Sequence, residues 1–109
     1  MTAMREVRYQ VDFPVHLSWQ IKNSVHSVMA RCVNLSPSGA KVETKDRLEL
    51  RTNVVVHSNH FGRMGLASIR YCTRKVMIYE VGLEFTTKFV LSDPVRKQIL
   101  ERVLLENKN

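Results

Sequence analysis

At 109 residues, with 44% hydrophobic and 25% charged residues, the chain has the length and make-up of one globular domain spanning 1–109, which excludes an intrinsically disordered or low-complexity protein. A formal net charge of +7 points to an anionic partner: nucleic acid, acidic lipid headgroups, a nucleotide or an acidic protein. No apolar run approaches the roughly 20 residues of a bilayer span and no signal-peptide core follows Met1, so the expected location is cytoplasmic, with no membrane span.

The basic lead-in Arg5-Glu6-Val7-Arg8 runs into a stretch where Val11, Phe13, Val15, Leu17, Trp19 and Ile21 alternate with polar residues. Period two predicts a strand, with its regular part starting around Pro14 because proline has no N–H for the ladder. Lys22-Asn23-Ser24 is a polar turn, and residues 25–35 return as the second arm of a hairpin. The apolar phase of that arm slips near Val28-Met29, which predicts a bulge there or burial of both faces.

Asn34-Leu35-Ser36-Pro37-Ser38-Gly39 follows as a corner dense in turn formers. Asn34 and Ser36 can hydrogen-bond neighbouring backbone or a ligand, Pro37 fixes φ, and Gly39 is expected to have φ > 0 or to lie where a Cβ would clash. A plain strand-to-strand turn needs the same residues, so the corner alone does not establish a site.

Ala40, Val42 and Thr44 then alternate in a short strand, and 46–51 forms a connection. Residues 53–58 and 65–72 make a second hairpin across a turn containing Asn59, Gly62 and Gly65, and Tyr79, Val81, Leu83 and Phe85 share one face of a sixth strand. Trp19, Ile69, Leu83 and Phe85 are expected in the core. After Ser92-Asp93-Pro94, Val95, Ile99 and Val103 repeat at helical spacing, which predicts a helix over about 93–106. The fold class is all-β with one C-terminal helix, the antiparallel strands forming a barrel or sandwich.

Cys32 and Cys72 lie in apolar strand runs with no Cys-x-x-Cys spacing, which favours small buried thiols over a bridge or metal site. His57 and His60, three apart on a strand, project to opposite faces, and no carboxylate or cysteine cluster completes a metal set. Gly62-x-x-Gly65 lacks the Lys-Ser/Thr and the helix of a phosphate loop. No nucleophile, base and orienting acid stand at recognisable spacing, so neither an enzyme nor a cofactor is expected.

Taken together, the lead-in, Tyr9-Gln10-Val11 with Pro14-Val15, the Asn34–Gly39 corner, Ile69-Arg70-Tyr71, Val81-Gly82-Leu83-Glu84-Phe85 and the closing helix resemble the PilZ domain. Members of that bacterial family bind the second messenger cyclic diguanylate (c-di-GMP). The resemblance covers nearly the whole chain and implies a six-stranded antiparallel β-barrel with a C-terminal helix. It also implies a ligand site: two arginines four apart in the N-terminal loop clasp guanine and phosphates, and an Asp/Asn-x-Ser-x-x-Gly corner contacts the guanine. Arg5, Arg8, Asn34, Ser36 and Gly39 are the matching positions here. Arg5 and Arg8 are three apart, and strict spacing back from Arg8 falls on Met4.

Two functions of different classes follow from these observations. One is a receptor whose Arg5–Arg8 segment orders over the barrel when cyclic diguanylate binds and passes the change to a protein partner. The other is a degenerate PilZ-like barrel that binds no nucleotide and works as a protein adaptor through its basic surface or helix. Single-stranded nucleic acid is a weaker candidate, because Phe13, Trp19, Tyr71, Tyr79 and Phe85 fall on the apolar strand phase and few aromatics remain for stacking; no DNA or RNA partner is expected.

Overall fold

Alternating side chains that point to opposite faces of a strand build the wall of this molecule. The computed structural model describes residues 7–86, so Arg5 and the helix expected over 93–106 lie outside the described residues. Within them, β1 (Tyr9–Ile21), β2 (Ser24–Ser36), β3 (Gly39–Thr44), β4 (Asn53–Ser58), β5 (Gly62–Arg74) and β6 (Tyr79–Phe85) close into an antiparallel barrel in the order β1-β2-β3-β6-β5-β4. The β1–β4 pairing that closes the sheet decides between barrel and sandwich.

Inward positions fill the barrel with Phe13, Val15 and Leu17 from β1, Val42 from β3, Val54 and Val56 from β4, Ile69 from β5, and Val81, Leu83 and Phe85 from β6, all buried. Trp19 differs from its expected place. It is half-buried against the core and stacks on His26, ring centroids 5.9 Å apart. The reason is register: β1 pairs with β4 only over His16–Ser18, so Trp19 stands where β1 and β2 run on as a two-stranded arm.

Strand limits also move. β1 starts at Tyr9, well before Pro14, which pairs with Arg31 and lies beyond the last β4 partner, where a missing N–H costs little. The predicted irregularity at Val28-Met29 is absent, since Leu17↔Val28 and His16↔Met29 pair in register. Bulges fall instead between Gln10 and Phe13 and between Cys32 and Asn34. Met29 and Val25 are exposed, which accounts for the mixed apolar phase of β2. Gly62 and Gly65 belong to β5 rather than to the preceding turn, with Gly65 (φ 144°) at the bulge opposite Val56 and His57.

Strand direction sorts the connections into two ends. The lead-in to β1, the β2–β3 corner and the β4–β5 turn share one end, where Phe61 meets Phe13 edge to face at 5.1 Å. The β1–β2 turn, the 45–52 connection and the β5–β6 turn share the other, where Leu48 is buried in the core. Two amide bonds tie that connection to the wall, from Arg51 N to Ile69 O (2.7 Å) and from Ile69 N to Thr52 O (3.0 Å). No helix among the described residues is long and apolar enough to cross a membrane.

Candidate functional site

The β2–β3 corner is closed from inside by Ser36. Its fully buried hydroxyl accepts from the Gly39 amide and donates to the Gly39 carbonyl, both at 3.2 Å. A buried hydroxyl must find partners, and here both lie in the corner itself, so Ser36 faces inward rather than offering an open hydrogen bond at the surface. Gly39 does not have the positive φ of Gly62 and Gly65. The other expectation holds: a Cβ built on it would meet the backbone oxygen of Leu83. Glycine is required because β3 and β6 approach closely at Gly39↔Glu84, where the Phe85 amide also donates to the Ser38 carbonyl at 2.8 Å.

Asn34 sits half-buried just before the corner, at the bulge of β2. The bulge re-aims its side chain, and Oδ1 accepts a hydrogen bond from Nη1 of Arg8 at 3.2 Å. Twenty-six residues of sequence separation are thereby reduced to one contact: of the expected site residues within the described region, the lead-in arginine and the corner are brought together.

Beside them a groove of about 170 Å³ runs over the outer face of β3, β6 and β5, with Arg8, Ser38, Lys41, Arg70, Tyr71 and Glu84 around it and Gly39 and Gly82 in its floor. Tyr71 corrects the sequence expectation. Alternation from Ile69 puts it in the core, but a bulge between Ile69 and Tyr71 pairs it with Gly82 and turns it outward. Its ring lies on Gly82, where a Cβ would collide with it. The signal in the sequence was Gly82 itself, a residue without a side chain on the outward phase of β6. The Tyr71 hydroxyl donates to Oε2 of Glu80 at 3.3 Å. Burial raises its pKa, Glu80 adds to the rise by charge and by hydrogen bonding, and the charge of Arg8 across the groove opposes it.

Arg70 pairs with Glu84 through Nε and Oε2 at 3.4 Å, both half-exposed. Arg8, Lys41 and Arg70 together give an open, cationic groove with one flat aromatic wall, suited to an anion that carries a planar group. His57 stands next to His16, ring centroids 6.4 Å apart, while His60 lies in the turn past the end of β4 rather than on the strand. Cys32 and Cys72 are free thiols, the first buried and the second half-buried.

The model of the PilZ domain family matches residues 3–105. Among solved structures, the chain is similar to the PilZ domain with c-di-GMP of YcgR from Escherichia coli, at 17% identity and a TM-score of 0.58, covering 98% of this chain and 94% of that one. It is also similar to the crystal structure of YcgR in complex with c-di-GMP from the same organism, at 15% identity and a TM-score of 0.57. That alignment covers 96% of this chain and 46% of the other, so the chain spans less than half the length of that protein. No curated protein matches.

Proposed function

The chain belongs to the PilZ domain family, and from that premise we propose that it binds c-di-GMP at the β2–β3 corner and serves as a cytoplasmic receptor module in bacterial second-messenger signalling. The observation that carries this proposal is the 3.2 Å contact between Arg8 and Asn34 at the mouth of a cationic groove. Arg8 is bonded to a neutral amide rather than a carboxylate, so its remaining donors can turn to phosphate without breaking an ion pair. Asn34 presents an amide that can pair with a guanine edge, and Gly39 lets β3 close against β6 in the groove floor. Arg5 supplies a second guanidinium from the lead-in. Ser36 acts by fixing the corner. Tyr71 and Arg70, from the Ile69-Arg70-Tyr71 run, extend the groove beyond the five expected ligand positions, the ring offering a face for a purine.

Met4, at the position where strict four-residue spacing calls for arginine, favours the second function, an adaptor barrel that binds no nucleotide. Titration of the labelled protein with c-di-GMP separates the two. A receptor shifts the amide resonances of Arg8, Asn34, Gly39, Lys41 and Gly82 together and saturably. An adaptor leaves all of them unmoved at hundreds-of-micromolar ligand, roughly the millimolar-to-micromolar boundary of useful affinity.

A further inference from the structure

The end of the barrel away from the corner collects what the sequence spreads out. Five of the large apolar side chains exposed to solvent stand there: Ile21 and Val25 on the β1–β2 arm, Leu50 in the connection, and Val76 and Met77 at the tip of the β5–β6 turn. Val76 is 93% exposed and Met77 85%, and the turn is held by a bond from the Lys75 amide to the Ile78 carbonyl at 2.8 Å. Two large apolar residues held out at a turn tip gain nothing in folding.

The same three connections carry Lys22, Lys45, Arg47, Arg51 and Lys75, with Arg74 at the end of β5, all exposed, against Asp46 and Glu49 in the connections and Glu43 and Glu80 near the ends of β3 and β6. The ion pairs found among the described residues, Arg31–Asp12 and Arg70–Glu84, lie elsewhere on the barrel. We propose that this end docks on an anionic lipid bilayer, with Val76 and Met77 entering the headgroup region and the surrounding lysines and arginines held over acidic headgroups.

Charge and apolarity together choose this partner. A second copy presenting the same end would set like charges against each other. Nucleic acid would satisfy the cations but leave Val76 and Met77 in water, and Trp19, the one tryptophan, already stacks on His26. A bilayer surface takes both, because it offers negative headgroups above an apolar layer. The groove, on the outer wall toward the corner end, is left open to a soluble ligand.

The test uses the whole chain without nucleotide and sediments it with vesicles of phosphatidylcholine alone or mixed with phosphatidylglycerol. Retention is expected on the mixed vesicles and is lost in high salt. Val76→Asp/Met77→Asp abolishes it. Arg74→Gln/Lys75→Gln lowers partitioning by about 30-fold, at about fivefold for each basic residue near an anionic leaflet. Arg63→Gln, on β5 near the corner end, stays close to wild type. Thermal unfolding of each variant confirms the fold, which surface changes in a turn leave intact. Equal retention on both vesicles, none on either, or wild-type retention of Val76→Asp/Met77→Asp overturns the proposal. So does capture of an acidic protein through this end without vesicle binding.

Discussion

Replacing Gly39 by alanine isolates the close approach on which the corner depends. The added Cβ meets the Leu83 backbone oxygen, and that oxygen belongs to a strand paired with β3 on one side and β5 on the other. Neither neighbour is a side chain that can swing aside. Relief requires β3 and β6 to part near Gly39↔Glu84, which strains the Phe85–Ser38 amide bond and the two Ser36–Gly39 bonds. Overpacking of this kind costs about 1–3 kcal/mol, offset by about 0.4–1 kcal/mol from the reduced freedom of the unfolded alanine chain. A net loss of about 1–2 kcal/mol remains, which lowers Tm by roughly 4–15 °C in a domain of this size. Urea unfolding followed by circular dichroism reads it as a fall in midpoint at unchanged slope. A Gly39→Ala protein with the wild-type midpoint would refute the reasoning, because Gly39 has no positive φ to supply another cause.

Gly82→Ala creates a comparable overlap with a different outcome: the obstacle is the Tyr71 ring, 38% exposed, which can rotate into solvent, so the loss should stay within about 1 kcal/mol while quenched or shifted Tyr71 ring resonances report the displacement. Ser36→Ala leaves the Gly39 amide and carbonyl without their buried partner, and a loss of about 1–3 kcal/mol in urea unfolding is expected; an unchanged midpoint contradicts the inward role of the hydroxyl. Burial pushes the Cys32 thiol up to about 12 from an ordinary 9.0, with a backbone hydrogen bond at Asn34 pulling the other way. The folded state then holds the proton that the unfolded chain releases, so this contribution to stability is complete below pH 9.0 and is lost as pH rises toward about 12; Cys32→Ala should flatten that alkaline slope, and an equal slope in both proteins would show that other groups govern it.

Strand identity was legible wherever alternation was strict, as around Leu17 and Leu83, because a one-residue slip would turn every apolar side chain to water. What escaped the sequence sits at irregularities. Alternation carried across Arg70 put Tyr71 inside, whereas the bulge opposite Gly82 turns it onto the outer face; an aromatic residue at the bulge keeps the apolar phase unbroken, so nothing in β5 itself marks the slip. Trp19 was placed in the core by its phase, but phase says nothing of where the neighbouring strand ends, and β4 stops pairing at Ser18. Within the candidate site, Asn34 and Gly39 were legible as corner residues, and their neighbour Arg8 only through resemblance, since nothing local in sequence ties residue 8 to residue 34. Ser36 was legible as a polar corner residue while its direction was not. Residue type gives the hydrogen-bonding capacity, and only the fold shows that Gly39 takes it up.

Calorimetric titration of c-di-GMP into the wild-type protein and into Arg8→Ala tests the account most directly. The wild type should bind with a measurable heat. Arg8→Ala, which deletes a charged hydrogen-bonding fork, should bind more weakly by about 1.5–3 kcal/mol, roughly 10- to 150-fold. No heat from the wild type at hundreds-of-micromolar ligand, the weak end of roughly millimolar-to-micromolar affinity, or equal affinity in the two proteins, would contradict it.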